Sequence, residues 1–113
     1  MKKKFFSLLV LLFVCMASIT QAQTWNQKAN LDSMPAMCLA GGAINGYIYV
    51  VGGATYGFNG IPVCHNELWR FDPTANIWTR MIGADFPGMA RQRASSFVIN
   101  NYLYVGLGDS AQY

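Results

Sequence analysis

The chain has 113 residues, 53% of them hydrophobic and only 12% charged, and carries a formal net charge of +3. That basic excess is confined to the start: without Lys2, Lys3 and Lys4, the remaining Lys28, Arg70, Arg80, Arg91 and Arg93 balance Asp32, Glu67, Asp72, Asp85 and Asp109. Past its first residues the chain is therefore neutral, which leaves no electrostatic reason for nucleic acid or an anionic membrane as partner.

Residues 1–22 read as a secretory signal peptide. Lys2 to Lys4 precede the apolar run Phe5 to Ala17, and Thr20 and Ala22 place small residues before a cut after Ala22. A membrane-spanning helix needs about 20 apolar residues, more than this run supplies. A lipid anchor on Cys15 would want a small residue before it, and Phe13 and Val14 stand there. The mature segment, residues 23–113, is thus expected outside the cytosol, with no membrane association after cleavage.

Thr24-Trp25-Asn26-Gln27-Lys28 is read as a strand, because it resembles Ile77-Trp78-Thr79-Arg80 at an offset of 53 residues from Trp25 to Trp78. Leu39 to Ile44 follows as a strand of mostly small residues, suited to a crowded innermost position. Asn45-Gly46 is a hairpin turn signal, because both central residues of a type I′ turn need positive φ. Tyr47 to Val51 is the next strand. Side chains alternate along it, with Tyr47, Tyr49 and Val51 on one face and Ile48 and Val50 on the other. Both faces are apolar, so cover is expected on both sides.

Gly52-Gly53 ends that strand, and a glycine-rich loop is expected from Ala54 to His65. Leu68 to Phe71 and Ile77 to Met81 form a predicted hairpin, with turn chemistry in Asp72-Pro73-Thr74-Ala75-Asn76. Ala94 to Ile99, Asn100-Asn101 and Tyr102 to Gly108 then repeat the earlier strand–turn–strand unit at an offset of 55 residues. A repeat of this length points to units that bury their faces against their neighbours.

Gly52-Gly53, the aromatics Trp69 and Phe71 in Asn66-Glu-Leu-Trp-Arg-Phe-Asp-Pro73, and Trp78 in Asn76-Ile-Trp78 together resemble a kelch repeat. Arg91 to Ile99 is similar to the start of a second one. Two departures stand out: Leu107-Gly108 replaces the glycine doublet, and Ala36 lies where the offset places the counterpart of Arg91. The resemblance implies an all-β fold of four-stranded antiparallel blades in a kelch-type β-propeller, incomplete at about two blades' worth of strands. It also implies that residues 23–113 are the N-terminal part of a longer propeller, with the segment around Trp25 completing the last blade. On that reading Tyr102 to Leu107 is an open apolar edge, to be met by missing blades or by self-association.

The same resemblance puts Cys38 and Cys64 at one end of the blade and makes them a disulfide candidate, two separate small hydrophobes being the alternative. His65 is the single histidine, and no metal-ligand spacing accompanies it, so no metal is expected. Galactose oxidase-like copper chemistry needs two histidines, and no cofactor is expected. The glycines lack a following helix to cradle phosphate and are read as strand ends. Trp25, Trp69 and Trp78 could form a sugar-stacking set, but their recurrence at repeat spacing reads them as blade-packing residues.

Arg91 and Arg93 enter an inner strand and are candidates to line a central channel, as in sialic acid mutarotase-like propellers. For Arg91 a structural alternative is support of the interblade turn through backbone carbonyls. Tyr56, Phe58 and Asn59 are binding candidates in the loop, joined by Arg91 at lower weight. No catalytic residue is evident. The expected function is non-catalytic recognition of a protein or glycan through loops on one propeller face; the alternative is part of a mutarotase-like or galactose oxidase-like enzyme.

Overall fold

A computed structural model describes residues 24–31 and 37–110. Residues 1–22, on which the signal-peptide expectation falls, lie outside the described residues together with Asp32 and Ala36. Eight strands are present among the described residues: β1 (Ala40–Ile44), β2 (Tyr47–Val51), β3 (Ala54–Tyr56), β4 (Pro62–Cys64), β5 (Leu68–Asp72), β6 (Ile77–Arg80), β7 (Ser95–Ile99) and β8 (Tyr102–Gly106). There is no helix among them.

The strands β1-β2-β5-β6 form one antiparallel sheet in that order, and β3-β4 and β7-β8 form two-stranded ribbons. This is one complete four-stranded blade followed by the two inner strands of the next. The turns follow from their residues. Asn45 and Gly46 have φ of 49° and 82°, and Asn100 and Asn101 have 50° and 62°. Both pairs thus take the double left-handed conformation of a tight hairpin, which asparagine tolerates better than most residues. In the β5–β6 turn, Asp72 Oδ1 accepts hydrogen bonds from the backbone N–H of Thr74 (2.8 Å) and Ala75 (3.0 Å).

The 55-residue repeat extends to the ladder. Ala40 pairs with Val51 and Ile44 with Tyr47 in β1–β2; Ser95 pairs with Gly106 and Ile99 with Tyr102 in β7–β8. Register is thus conserved while the side chains differ, as a hairpin fixed by its turn requires.

The blades meet where β1 is smallest. A β-carbon on Gly42 would lie 2.5 Å from Val98 Cγ2 and 3.1 Å from Leu103 Cδ1. Beside it, Ser96 Oγ accepts from Gly41 N–H (2.9 Å) and donates to the Gly41 carbonyl (2.8 Å). Further out the two units diverge around a cavity of about 480 Å³ lined by Tyr49, Val51, Leu68, Phe86, Leu103 and Val105, among others. On the opposite face of the sheet, the rings of Phe71 and Trp78 are 4.9 Å apart. Phe71 is buried there; among the described residues Ala40, Val51 and Ala54 are also buried.

Three expectations need correction. The cover predicted on both faces of β2 is found on the face toward β7–β8; Ile48 on the other face is 41% exposed. No other described strand approaches that side. The segment around Trp25 is not a strand, and Trp25 is 93% exposed rather than packed. An outermost strand needs the inner strands of its own blade as an edge, and the described residues offer it none. Instead, the segment crosses the blade's rim: Trp78 Nε1 donates to the Ala29 carbonyl (2.9 Å), and Ala29 N–H donates to Asn76 Oδ1 (2.8 Å). Finally, residues 54–65 are not a plain loop but contain the β3–β4 ribbon, registered from Ala54↔Cys64 to Tyr56↔Pro62.

The departure at Leu107-Gly108 is accommodated by backbone geometry. Gly52 and Gly53 have φ of 71° and 88°, and Leu107 and Gly108 have 62° and 79°. The second doublet therefore keeps the left-handed pair with a leucine in one place. A β-carbon on Gly108 would collide with the Gln92 carbonyl and lie 2.9 Å from Ala94 N, so glycine is required there on two grounds.

Four substitutions test these contacts, each by urea unfolding followed through tryptophan fluorescence. Gly42→Ala is expected to destabilise by about 1–3 kcal/mol through overpacking against Val98, and Ser96→Ala by about 1–2 kcal/mol through loss of its bonds to Gly41. At the second doublet the signs differ. Gly108→Ala is expected to cost about 1–3 kcal/mol. Leu107→Gly is expected to stabilise by up to about 1 kcal/mol, as relief of left-handed strain outweighs the added entropy of the unfolded chain.

Candidate functional site

At one end of the blade, short segments distant in sequence are tied together by main-chain hydrogen bonds. Met37 and Ala54 exchange bonds of 2.8 and 2.9 Å, and His65 N–H donates to the Gly53 carbonyl (2.9 Å). Gly53 N–H donates to the Arg91 carbonyl (2.8 Å), and Arg91 N–H to the His65 carbonyl (3.0 Å). Gln92 and Asp109 pair through both backbone groups, and Arg93 N–H donates to the Cys38 carbonyl (3.1 Å). Gly52 and Gly53 belong to this lattice: a β-carbon on Gly52 would sit 2.8 Å from the Arg91 carbonyl oxygen. The doublet thus ends β2 and also admits the next blade's entry segment.

Side chains reinforce the base of the β3–β4 ribbon. His65 Nε2 lies 3.0 Å from Thr55 Oγ1, and its Nδ1 lies 3.3 Å from Glu67 Oε2. The imidazole thus links β3 to the start of β5. The sequence signal for this was the spacing of His65 and Glu67, which share a face when the chain is extended. Read alone, His65 was a polar loop residue, because Thr55 joins it only through the unforeseen ribbon.

The ribbon ends in the turn Gly57 to Gly60, closed by bonds from Gly57 N–H to the Ile61 carbonyl (3.0 Å) and from Gly60 N–H to the Gly57 carbonyl (2.9 Å). The candidate binding residues divide there. Phe58 is fully exposed and Tyr56 is 53% exposed. Asn59 is also exposed, but its Oδ1 accepts from Ile61 N–H (3.2 Å), which holds the turn.

Arg91 lies at the ribbon's base rather than its tip. Its Nη1 donates to the Leu107 carbonyl (3.0 Å), its Nε to the Met89 carbonyl (3.3 Å), and its guanidinium stacks 4.5 Å from the centre of the Phe86 ring. It holds the strained doublet of the second repeat in place through backbone carbonyls.

Arg93 is more accessible and pairs with Asp109 at 3.1 Å. The hydrogen bond and charge of that carboxylate hold the guanidinium above its already high ordinary pKa, so it stays cationic at any working pH. Cys38 is exposed beside Arg93, and Cys64 Sγ lies 3.9 Å from the Asp109 carbonyl oxygen. Both cysteines are at this end, and no disulfide joins them in the structure. Trp69 and Trp78 are half-buried in the sheet, away from the ribbon tip. Among the described residues, no group of three or more His, Cys, Asp or Glu side chains converges to hold a metal ion.

Residues 35–81 match the Kelch motif family. Among solved structures, that of YjhT is similar, with a TM-score of 0.64 and 27% sequence identity over 76% of this chain. The chain spans 25% of YjhT's length. No curated protein matches the chain. The matched segment runs through all of β1 to β6, so the described residues form a complete blade of a kelch-type β-propeller and the inner half of its neighbour.

Proposed function

We propose that this chain is the N-terminal part of a secreted kelch-type propeller that recognises a protein or glycan through the β3–β4 ribbon. A kelch-type propeller suits a binding or scaffold module, and the ribbon gives this one a specific presenting element. The observation that carries the reading is the contrast between its tip and its base. Phe58 and Tyr56 offer exposed aromatic surface. The base is held by five backbone hydrogen bonds among Gly53, His65, Arg91, Met37 and Ala54, together with the His65 contacts. Exposed rings on a fixed base bind with little ordering cost, and aromatic faces suit both sugar rings and apolar peptide side chains.

A second reading, a mutarotase-like or galactose oxidase-like enzyme, draws on Arg93 and Asp109, a half-exposed charged pair at the entry to β7. In a closed ring such a pair stands near the axis, where it would orient a polar or anionic substrate. On the binding reading, this charge pair instead fixes the blade entry.

Three experiments test these assignments. N-terminal sequencing of the exported protein is expected to begin at Gln23; an intact chain starting at Met1 in the membrane fraction would overturn the secretion assignment. On an array of neutral and sialylated glycans and extracellular protein fragments, Phe58→Ala is expected to weaken bound partners at least about tenfold. Melting temperature should be unchanged, since Phe58 is fully exposed. Binding that survives Tyr56→Ala and Phe58→Ala together places recognition elsewhere. Accelerated interconversion of sialic acid anomers, followed by NMR and lost in Arg93→Gln, would favour the enzymatic reading.

A further inference from the structure

The described residues contain two Asn-Gly pairs, Asn45-Gly46 and Asn59-Gly60, and both are exposed. An asparagine carries its carboxamide carbon within reach of the next residue's backbone nitrogen. Attack of that nitrogen on Cγ closes a five-membered ring, and glycine has no side chain to obstruct the approach. The reaction needs a nitrogen whose N–H is not engaged, a side chain free to swing, and a backbone able to rotate.

The two pairs meet these needs unequally. Gly60 N–H donates to the Gly57 carbonyl (2.9 Å), and Asn59 Oδ1 accepts from Ile61 N–H (3.2 Å). Nucleophile and electrophile are thus each tied into the ribbon turn. Asn45 and Gly46 instead form the two-residue turn between β1 and β2. Among the described residues, neither Gly46 N–H nor the Asn45 side chain has a hydrogen-bond partner. A β-carbon on Gly46 would meet nothing within 4 Å, so its surroundings are open solvent. Ring closure needs rotation about the Asn45 Cα–C bond, which opens the turn locally. The pair Ile44↔Tyr47 closes that turn, and β5 grips β2 from Ile48 onward but not at Tyr47. Such an exposed hairpin end opens at low free energy.

The second repeat offers a comparison within the same chain. Asn100 and Asn101 take the same left-handed turn, with φ of 50° and 62°. There, however, Asn101 places a side chain beside the attacking nitrogen.

We propose that Asn45 is a site of spontaneous modification, through a cyclic succinimide, to aspartate and isoaspartate. The Gly46 nitrogen gives its proton to hydroxide and bonds to Asn45 Cγ. The Cγ–Nδ2 bond breaks, and ammonia leaves with a proton taken from water. Water then opens the ring. Opening at Cγ gives aspartate, and opening at the Asn45 backbone carbonyl gives isoaspartate. Either product adds a carboxylate. Isoaspartate also lengthens the main chain within a loop whose length fixes the β1–β2 register. The turn lies at the end of that hairpin remote from Gly52-Gly53, so the site is independent of recognition at the β3–β4 ribbon.

The test incubates the full chain at mildly alkaline pH, folded in buffer and unfolded in guanidinium chloride, and maps it by proteolysis and mass spectrometry. In the folded chain, conversion of amide to acid is expected at Asn45 ahead of Asn59 and Asn100. In guanidinium the two Asn-Gly pairs should convert at similar rates, because the bonds that shield Asn59 are gone. Gly46→Asn writes the second repeat's turn into the first. It is expected to slow conversion at Asn45 at least about tenfold, an added barrier of about 1.4 kcal/mol. A folded chain in which Asn59 converts as fast as Asn45 would overturn the proposal. So would Asn45 remaining intact in buffer while converting in guanidinium, or an unchanged rate in Gly46→Asn.

Discussion

The close approach of β1 to β7 and β8 at Gly41 and Gly42 is the contact on which the arrangement of the two units depends. A single four-stranded sheet cannot bury enough surface to stand alone, and repeat proteins gain much of their stability at the joints between units. Here the joint has no room for a side chain at Gly42, and Ser96 satisfies both polar groups of Gly41. The fit is therefore steric at one glycine and polar at the next. It sets the spacing between blades near the inner strands and leaves the outer parts to diverge.

Much of this was legible in the sequence because it rests on local chemistry. Asn45-Gly46 and Asn100-Asn101 announce tight turns, Asp72 to Asn76 announces another, and the 55-residue repeat aligns the strands between them. The kelch resemblance then supplied the order in which these strands join. The small residues of β1 suit an innermost strand, and the close approach of Val98 and Leu103 to Gly42 shows what that smallness serves.

Features that depend on distant partners were harder to read. Trp25 matches Trp78 in sequence but not in packing, because a side chain's burial is decided by the sheet it belongs to, not by its motif. Ala54 to Cys64 contains glycine, proline and few alternating residues, so its pairing was masked by loop-like composition; the ribbon is held by its attachment to Met37 and Arg91. Thr55, His65 and Glu67 meet only once that ribbon exists. Asp109, which pairs with Gln92 and Arg93, gave no sequence signal, because its partners lie across the turn of a hairpin.

The anchoring of the β3–β4 ribbon gives it a defined load path. Two of the backbone bonds at its base end on Arg91, through the Gly53 and His65 main chain. The Arg91 side chain in turn grips Leu107, the strained residue at the exit of β8. The ribbon's base is therefore shared between the two units: Met37 holds it from the first, and Arg91 from the second.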